Sequence, residues 1–206
     1  MVARLGLGMT RIIGGTARGR RLKAPSGDQT RPTSDRVREA LFSSVVSEIG
    51  SMNGLRFLDL YAGSGAVGLE ARSRGAGSVT LVEQDRRTAS LIRDNARSLG
   101  FAEVEVLVGA VARILAGAPS APYDVVFIDP PYALPGADVR SDLTALLTQG
   151  WLAEGALVVV ERATRSGEVP WPDGLTPSRS KRYGETTLWY GHASPSGDKA
   201  FDSSMP

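Results

Sequence analysis

The chain has 206 residues, of which 42% are hydrophobic and 22% charged, a composition typical of one globular domain with a sizeable core. It contains no cysteine, which excludes disulfides, thiolate metal sites and cysteine nucleophiles and favours a cytoplasmic protein. Its one histidine, His192, is predicted to be a surface residue at the start of a polar tail, which disfavours imidazole acid–base catalysis.

Charge is unevenly distributed along the chain, although the net charge is only +2. The first 40 residues carry nine Arg or Lys against three Asp or Glu, a net charge of +6, which leaves −4 for the remainder. This asymmetry favours a basic arm that binds a polyanion, although a solvated basic tail would give the same count. No apolar run is long enough to span a bilayer, so no membrane partner is expected.

The N-terminal part predicts a hairpin followed by a helix. Two short extended runs flank a glycine-rich turn within residues 10–24, a pattern typical of a β-hairpin. Thr33 or Ser34 then caps a predicted helix, along which apolar residues recur every four positions from Val37. We expect residues 1–50 to form a basic extension of the main domain.

From Leu55 onward, strand and helix patterns alternate. The predicted strands are Leu55–Leu60, Ser78–Glu83, Val104–Val108, Tyr123–Asp129, Ala156–Glu161, Ser178–Tyr183 and Thr187–Tyr190. The continuous apolar run at 125–128 indicates burial on both faces, as in a parallel sheet covered by helices. We therefore expect an α/β domain over residues 51–192, followed by a disordered tail at 193–206.

The turn after the first of these strands is rich in glycine and reads DLYAGSGAVG at residues 59–68. Glycines let the backbone approach a ligand closely, although dinucleotide-binding proteins share this pattern. Acidic residues at strand ends narrow the choice. Glu83 suits a ribose diol, whereas Asp59 and Asp129 suit an ammonium or sulfonium cation and would repel a pyrophosphate. The pattern therefore favours S-adenosylmethionine over a dinucleotide at this edge of the sheet.

A second motif, Asp129-Pro130-Pro131-Tyr132, directly follows the fourth strand. The prolines stiffen the segment, so that the Asp129 carboxylate, the Pro130 carbonyl and the Tyr132 ring can hold fixed positions. The two acceptors could bind both N–H groups of an exocyclic base amine, and the ring could stack on the base. The motif therefore favours methylation of an amino group on a nucleobase.

The motifs DLYAGSG, VTLVEQD and DPPY together resemble class I S-adenosylmethionine-dependent methyltransferases that act on nucleic-acid amino groups. Within that group, RIIGGTARGRRL and RPTSDRVREALF resemble the RsmD family, bacterial enzymes that methylate guanine N2 in small-subunit (16S) ribosomal RNA. The resemblance runs from about Thr10 to Gly191. It implies a Rossmann-like α/β fold with a seven-stranded, mostly parallel sheet, helices on both faces and a small N-terminal hairpin-and-helix extension.

The candidate site follows from the motifs and the resemblance. Catalytic contacts are expected from Asp129, Pro130 and Tyr132. Cofactor contacts are expected from Asp59, Gly63, Ser64, Gly65, Glu83, Ala110 and Asp129. RNA contacts are expected from Arg18, Arg20, Arg21, Lys23, Arg31 and Arg36. Where many such enzymes place an Asp or Asn on the adenine, this chain has Gly109-Ala110, so backbone groups or apolar packing must hold the adenine.

The implied cofactor is S-adenosylmethionine, which leaves as S-adenosylhomocysteine, and no metal is expected. The implied partner is small-subunit ribosomal RNA or an assembling small ribosomal subunit, and nothing in the sequence demands a dimer, so a monomer is expected.

Three alternatives stay open at this point. A DNA adenine-N6 methyltransferase can carry DPPY on the same fold, although only residues 1–50 would be left to read a duplex and flip a base. A non-catalytic RNA-binding ribosome assembly factor would have no reason to keep both Asp129 and Tyr132. A nicotinamide-dependent dehydrogenase lacks a histidine in a cleft or a Tyr-x-x-x-Lys pair for hydride chemistry.

Overall fold

The structure, a computed structural model, describes residues 10–24 and 35–194. In chain order its elements are β1 (Thr10–Arg11), β2 (Arg21–Leu22), α1 (Asp35–Ile49), β3 (Arg56–Leu60), α2 (Ala66–Ser73), β4 (Ser78–Glu83), α3 (Arg86–Leu99), β5 (Val104–Val108), α4 (Val111–Leu115), β6 (Tyr123–Ile128), α5 (Gly136–Thr148), β7 (Leu152–Ala163), a short 3-10 turn (Thr164–Ser166), β8 (Leu175–Tyr183) and β9 (Thr186–Ala193). Local sequence sets these bounds. Asp85, for example, caps α3 by accepting a hydrogen bond from the Thr88 amide (2.8 Å), and Gly100 ends that helix at φ 75°.

Seven strands form one sheet in the order β5-β4-β3-β6-β7-β9-β8. The first five of these are parallel, whereas β9 and β8 add to one side as antiparallel strands. This confirms the predicted Rossmann-like α/β fold with a seven-stranded, mostly parallel sheet. The chain order reverses between β3 and β6, which is where open parallel sheets form a ligand crevice at the carboxyl ends of their strands.

Helices cover both faces of the sheet. We call the face under α1, α2 and α3 the first face and the face under α4 and α5 the second face. Alternate residues of each parallel strand enter the two cores, as Phe57 and Leu58 do on β3. Within the described ranges, no helix is long and apolar enough to cross a bilayer.

Three strands, β7, β8 and β9, are longer than predicted. β7 spans twelve residues, Leu152–Ala163, where the sequence predicted only 156–161, and β9 reaches Ala193 because it pairs along both β7 and β8. The placement of His192 at the start of a polar tail was therefore wrong. It lies within β9, with its Nε2 atom 2.8 Å from a carboxylate oxygen of Glu48 on α1. Residues 195–206 of the predicted tail lie outside the described part of the chain.

The predicted N-terminal hairpin is present, and it packs on α2 and α3. Ile12 and Leu22 are buried in a small apolar cluster with Leu69 of α2. Gly15 lies at φ 76°, and a Cβ atom there would be 1.8 Å from the Ser73 carbonyl oxygen. Only glycine therefore allows the turn to sit this close to the end of α2.

A buried cluster of charges, which we call the hairpin anchor, joins this hairpin and α1 to α2; it consists of Arg38, Glu70 and Arg74. The Glu70 carboxylate accepts hydrogen bonds from the amides of Ile13 and Gly14 (both 2.7 Å) and from Nε of Arg74 (2.7 Å). The guanidinium of Arg38 is fully buried, donates to the β1 backbone (2.5 Å) and lies 3.9 Å from Glu70. Arg38 comes from the RPTSDRVREALF segment, so this part of the segment supports the structure.

Candidate active site at the carboxyl edge of the sheet

Acidic residues lie at the same level on several strands of the sheet. Leu60 of β3 lies beside Val82 of β4 and beside Ile128 of β6. Ile128 in turn lies beside Val160 of β7. The next residues along these four strands form a row across the carboxyl edge: Glu83, Tyr61, Asp129 and Glu161.

Three members of this row are acidic and continue the first face of the sheet; we call Glu83, Asp129 and Glu161 the carboxylate row. Each follows by two positions a residue of the first-face core, because side chains alternate along a strand. Asp59 also continues the first face, two residues before Tyr61 on β3. Neighbouring strands are about 4.8 Å apart, so these carboxylates face one shared space. In the described part of the chain, no three or more His, Cys, Asp or Glu form a group that could hold a metal ion.

The glycine-rich loop closes the β3–β4 half of this space. The Gly63 amide donates to Oε2 of Glu83 (2.9 Å), and the Gly68 amide donates to Oδ2 of Asp59 (2.8 Å). Gly65 lies at φ 76° directly before α2, in a region that L-residues rarely adopt. A Cβ atom on Gly68 would meet the Leu81 side chain at 2.7 Å. Backbone hydrogen bonds therefore join the glycine loop to Glu83 and Asp59.

Tyr61 has an unusual backbone in this loop, at φ 62°, among the described residues the only one other than glycine with a positive φ. Its hydroxyl donates a hydrogen bond to Oδ2 of Asp142 on α5 (2.5 Å). Burial raises the pKa of Tyr61, and burial likewise raises the pKa of Asp142. The contact ties the loop after β3 to the helix that follows the loop after β6.

The Asp129–Tyr132 segment forms the β6 side of the space. The Asp129 amide donates to the Leu60 carbonyl (3.3 Å), which fixes the start of the loop against β3. Pro130 is buried, whereas the Tyr132 ring is 44% exposed and available to a planar ligand. Within residues 10–24 and 35–194, no group donates a hydrogen bond to the Asp129 carboxylate. The structure thus brings Asp129, Pro130 and Tyr132 together at the edge.

Burial and mutual repulsion dominate the electrostatics here. Burial, and then the charge of Glu83, raises the pKa of Asp59 to about 7, while the Gly68 amide opposes the rise. Burial raises the pKa of Asp129 well above its usual range, and the charges of Glu161 and Asp59 add to the rise. Without a ligand, the site therefore favours the protonated forms of Asp59 and Asp129 more than water does.

This arrangement fits S-adenosylmethionine. Crowded carboxylates with raised pKa values would be stabilised by a cation, and the cofactor carries a sulfonium and an ammonium. The loop of glycines allows close approach of a ligand to the backbone, and Glu83 lies beside it, in reach of a ribose. These acids do not fit a pyrophosphate, because their negative charges would repel it.

The position expected to face adenine, Gly109-Ala110, has no polar side chain. Glu83 lies beside Val108 of β5, so Gly109 and Ala110 begin just beyond the row on its outer side. Ala110 is exposed and precedes α4, and the Gly109 amide donates to the Glu83 carbonyl (3.0 Å). Ser64, in the glycine loop, is partly buried. Any adenine contact at Ala110 must use the backbone or the methyl group.

The basic residues proposed for RNA lie on two elements. The hairpin carries four of them with exposed side chains: Arg18, Arg20, Arg21 and Lys23. The Arg20 guanidinium donates to the Ser98 carbonyl at the end of α3 (2.6 Å), so it also has a structural contact. Arg36 is exposed in the first turn of α1. Arg31 lies outside the described residues.

The sequence missed three residues of this region. Glu161 was placed at the end of its strand but was not related to Asp129, because the order of strands in the sheet was unknown. Its strand-end position resembled that of Glu83 and was the available signal. Tyr61 stood within the glycine motif without a role, and Asp142 on α5 gave no local signal.

The chain matches known proteins over most of its length. The model of a protein family described as Conserved hypothetical protein 95 matches residues 10–192. Ribosomal RNA small subunit methyltransferase D from Escherichia coli is 37% identical over 180 residues, which cover 87% of this chain and 88% of that protein. The protein of the same name from Haemophilus influenzae is 37% identical over 157 residues, which cover 75% of this chain and 79% of that protein.

A solved structure agrees. The Escherichia coli protein yhhF, described provisionally as a methyltransferase, is 34% identical and superposes with a TM-score of 0.81 over 91% of this chain and 99% of that one. The class I methyltransferase fold implied by the sequence motifs is thereby confirmed. With the family model and the curated relatives in agreement, the chain belongs to the RsmD family, whose members include ribosomal RNA small subunit methyltransferase D.

Proposed function

We propose that this protein transfers a methyl group from S-adenosylmethionine to the exocyclic N2 of a guanine in small-subunit (16S) ribosomal RNA. The observation that carries the proposal is Asp129. Its carboxylate accepts no hydrogen bond from the described chain, burial raises its pKa, and it stands between the glycine loop and the exposed ring of Tyr132. The relatives named above, ribosomal RNA small subunit methyltransferases, support the choice of RNA.

The amine is a poor nucleophile because its lone pair is delocalised into the ring. The Asp129 carboxylate and the Pro130 carbonyl would each accept one of its N–H groups, which favours a pyramidal nitrogen with its lone pair free to attack. The Tyr132 ring would stack on the base and contribute about 1–3 kcal/mol. These three groups orient the amine without an unusually strong base.

The bound cofactor supplies an electrophilic methyl group on a sulfonium sulfur. Asp59 and Asp129 would stabilise its positive charges, the backbone of Gly63, Ser64 and Gly65 would pack against it, and Glu83 would accept hydrogen bonds from its ribose. When bound, the cofactor would supply its methyl group to the amine nitrogen and would be left as S-adenosylhomocysteine, whose sulfur is neutral. The methylated nitrogen is then strongly acidic, so Asp129 or water takes its proton.

The substrate would be held by the hairpin and α1, on the same face of the sheet as the carboxylate row. Single-stranded loops of RNA expose unpaired bases, so a small basic element is sufficient for binding. A protein that acts on ribosomal RNA or on an assembling small subunit would work in the cytoplasm, and the expected monomer is part of this proposal.

The test is methyl transfer from labelled S-adenosylmethionine to small ribosomal subunits that lack the modification, followed by nucleoside analysis. We expect label in N2-methylguanosine. Label only in N6-methyladenosine, or only in DNA, would move the substrate to the adenine-N6 alternative while keeping the chemistry. No label in any nucleic acid, with cofactor binding intact, would overturn the proposal.

A further inference from the structure

The turn of the hairpin, which carries Arg18 and Arg20, lies far from the edge where a base would react. A helix that follows a parallel strand begins at the carboxyl edge of the sheet and runs back toward the amino edge. The hairpin turn contacts the amino-edge ends of two such helices. The Thr16 amide donates to the Ser73 carbonyl at the end of α2 (2.8 Å), and Arg20 donates to the Ser98 carbonyl near the end of α3 (2.6 Å). Since α3 spans 14 residues, its end lies about 20 Å from the carboxyl edge. These two arginines therefore cannot hold the phosphates next to the reacting base.

Other basic residues lie at the carboxyl edge itself, on the strands beyond β6. Arg162 of β7 lies beside Thr187 of β9, which in turn lies beside Arg182 of β8. All three continue the second face, because Val160 precedes Arg162 by two residues and Trp189 follows Thr187 by two, and both pack in the second-face core. We call Arg162, Thr187 and Arg182 the donor row.

Arg162 carries a buried charge without a partner. It is only 9% exposed, its Nη1 atom is buried, and no group among residues 10–24 and 35–194 accepts a hydrogen bond from its guanidinium. The indole Nε1 atom of Trp189, on the same face of the neighbouring strand, is also buried without an acceptor in that part of the chain. A guanidinium remains protonated in proteins, so burying it unpaired is costly. Two such donors on adjacent strands favour an anionic ligand at this place.

The charges beside Arg162 are open to solvent. Arg182 is exposed, and its Nε atom donates to the Gly184 carbonyl (3.0 Å), which holds the guanidinium at the end of β8. Arg165 is exposed in the 3-10 turn that follows β7. Residues 162–182 carry five Arg or Lys against two Asp or Glu, a net charge of +3, although residues 41–206 carry −4 in all. Exposed cations that lead to a buried one suit a chain of phosphates better than a single small anion.

We propose that the donor row binds the phosphodiester backbone of the substrate RNA beside the target base, with Arg162 contacting the nearest phosphate. This inference rests on the proposed function. In the sheet, β4 and β3 carry the cofactor residues, β6 leads to Asp129, and β7, β9 and β8 continue on the other side. Val160 lies beside Ile128, and Arg162 and Pro130 each follow this pair by two residues. An RNA strand whose base reaches Asp129 thus leaves the site over the donor row, on the side away from the cofactor.

The test measures RNA binding and methyl transfer with the full chain and small ribosomal subunits that lack the modification. Arg162→Met keeps the length and the apolar contacts of the side chain but removes its charge. We expect the affinity for the subunits to fall by about tenfold or more, as for loss of a hydrogen bond to a charged group. The logarithmic salt dependence of binding should become shallower by about 0.7. Affinity for S-adenosylmethionine should not change, and the thermal unfolding temperature should not fall, because an unpaired buried charge has been removed.

Three further variants separate phosphate binding from a packing role. Arg162→Lys restores a charge and should recover part of the affinity and of the salt dependence. Arg182→Gln changes an exposed residue, so it tests the donor row even if Arg162→Met fails to fold, and it should give a smaller loss of affinity with a similar change in slope. Arg113→Gln is the matched control, because Arg113 is exposed on α4, beside β4 at the other end of the same face, and it should change neither quantity.

Wild-type affinity and salt dependence in Arg182→Gln, or in a folded Arg162→Met, would overturn the inference. Label in N2-methylguanosine from the wild type would in that case keep the proposed function. A wild type that labels no guanine N2 would instead remove the proposed function, and loss of RNA affinity in the two variants would still show that the donor row binds RNA.

Discussion

Two regions of this protein bury charge, and they do so in opposite ways. In the hairpin anchor, a buried carboxylate, Glu70, has two guanidinium groups and two backbone amides around it. At the carboxyl edge, Asp129 has two further acids near it, and no group of the described chain donates a hydrogen bond to its carboxylate. Both regions lie on the first face of the sheet.

The difference between these two regions distinguishes a structural role from a ligand-binding role. Opposite charges in the anchor compensate one another, and the anchor fixes the hairpin on α2. At the edge, burial and the charges of Glu161 and Asp59 raise the pKa of Asp129, so a cation or a hydrogen-bond donor that reached Asp129 would stabilise its ionised form. A carboxylate such as Asp129, which has no compensating group among the residues that the structure describes, therefore marks a place where a ligand would be stabilising.

The largest effect should come from breaking the anchor. Arg38→Ala leaves Glu70 with less compensation in a fully buried place, so we expect the free energy of unfolding to fall by about 3–5 kcal/mol. Urea unfolding measures it. Arg97→Ala is the matched control, because Arg97 pairs with Asp94 on the exposed side of α3. Loss of this pair should change the free energy of unfolding by too little to resolve. Equal losses in both variants would mean that the anchor is no stronger than a surface pair.

Removing the central acid of the edge should affect catalysis and spare the fold. Asp129→Asn keeps the shape but loses the charge that orients the amine, so we expect kcat to fall by about 100- to 1000-fold. Its affinity for S-adenosylmethionine should stay within about tenfold, because Asp59 and Glu83 remain. The unfolding free energy should not fall, since a carboxylate that accepts no hydrogen bond from the described residues has been replaced by a neutral group. Turnover close to that of the wild type would contradict the role assigned to Asp129.

A third effect concerns pH. Because the pKa of Asp59 is raised from its ordinary value to about 7 in the folded protein, ionising it destabilises the free protein as the pH rises from about 4 through 7. A cationic cofactor favours the ionised form, so its affinity should increase with pH up to about 7, by up to tenfold per unit, and then level off.

Calorimetric titration between pH 5.5 and 8 checks this dependence. Asp59→Asn should bind S-adenosylmethionine more weakly, and its affinity should lose the part of the pH dependence that comes from ionisation of Asp59. S-adenosylhomocysteine, which lacks the sulfonium charge, should show a shallower slope with the wild type. An identical slope in wild type and variant would show that another group controls the affinity.

The smallest effect should appear on the exposed side of the hairpin. Arg21→Glu reverses an exposed charge that makes no side-chain hydrogen bond or ion pair within residues 10–24 and 35–194. RNA affinity should therefore fall, and its logarithmic dependence on salt should become shallower by about 0.7. Arg140→Glu, on α5 across the sheet, is the control and should leave that slope unchanged. Filter binding over a salt series measures both. A wild-type slope for Arg21→Glu would remove this residue from the RNA-binding surface.

Much of the fold could be read from the sequence because it depends on local patterns. β4, α3 and β5 begin and end where apolar periodicity and capping residues predict. The row was predicted in part, since acids at strand ends in a parallel sheet share one edge whatever the strand order. The family resemblance rested on short motifs, and the family model and the curated relatives confirm it.

The sequence could not show which strands and helices are neighbours in the folded protein. The neighbour of Asp129 depends on which strand pairs with β6, and the pairing with β7 joins segments more than 25 residues apart. Likewise, Arg38 and Glu70 lie on separate helices, and either could have been a solvated surface charge. His192 was misplaced for the same reason, because only pairing with β7 and β8 extends β9 so far.

The hydrogen bond between Tyr61 and Asp142 has a consequence for cooperativity. It links the loop after β3, where the cofactor would bind, to the helix that follows the loop after β6, where the base would bind. If ordering one loop helps to order the other, each ligand must raise the affinity for its companion, and by the same factor in both directions. The order in which the cofactor and the RNA arrive would then change the rates of assembly, while the final stability of the ternary complex would be the same by either route.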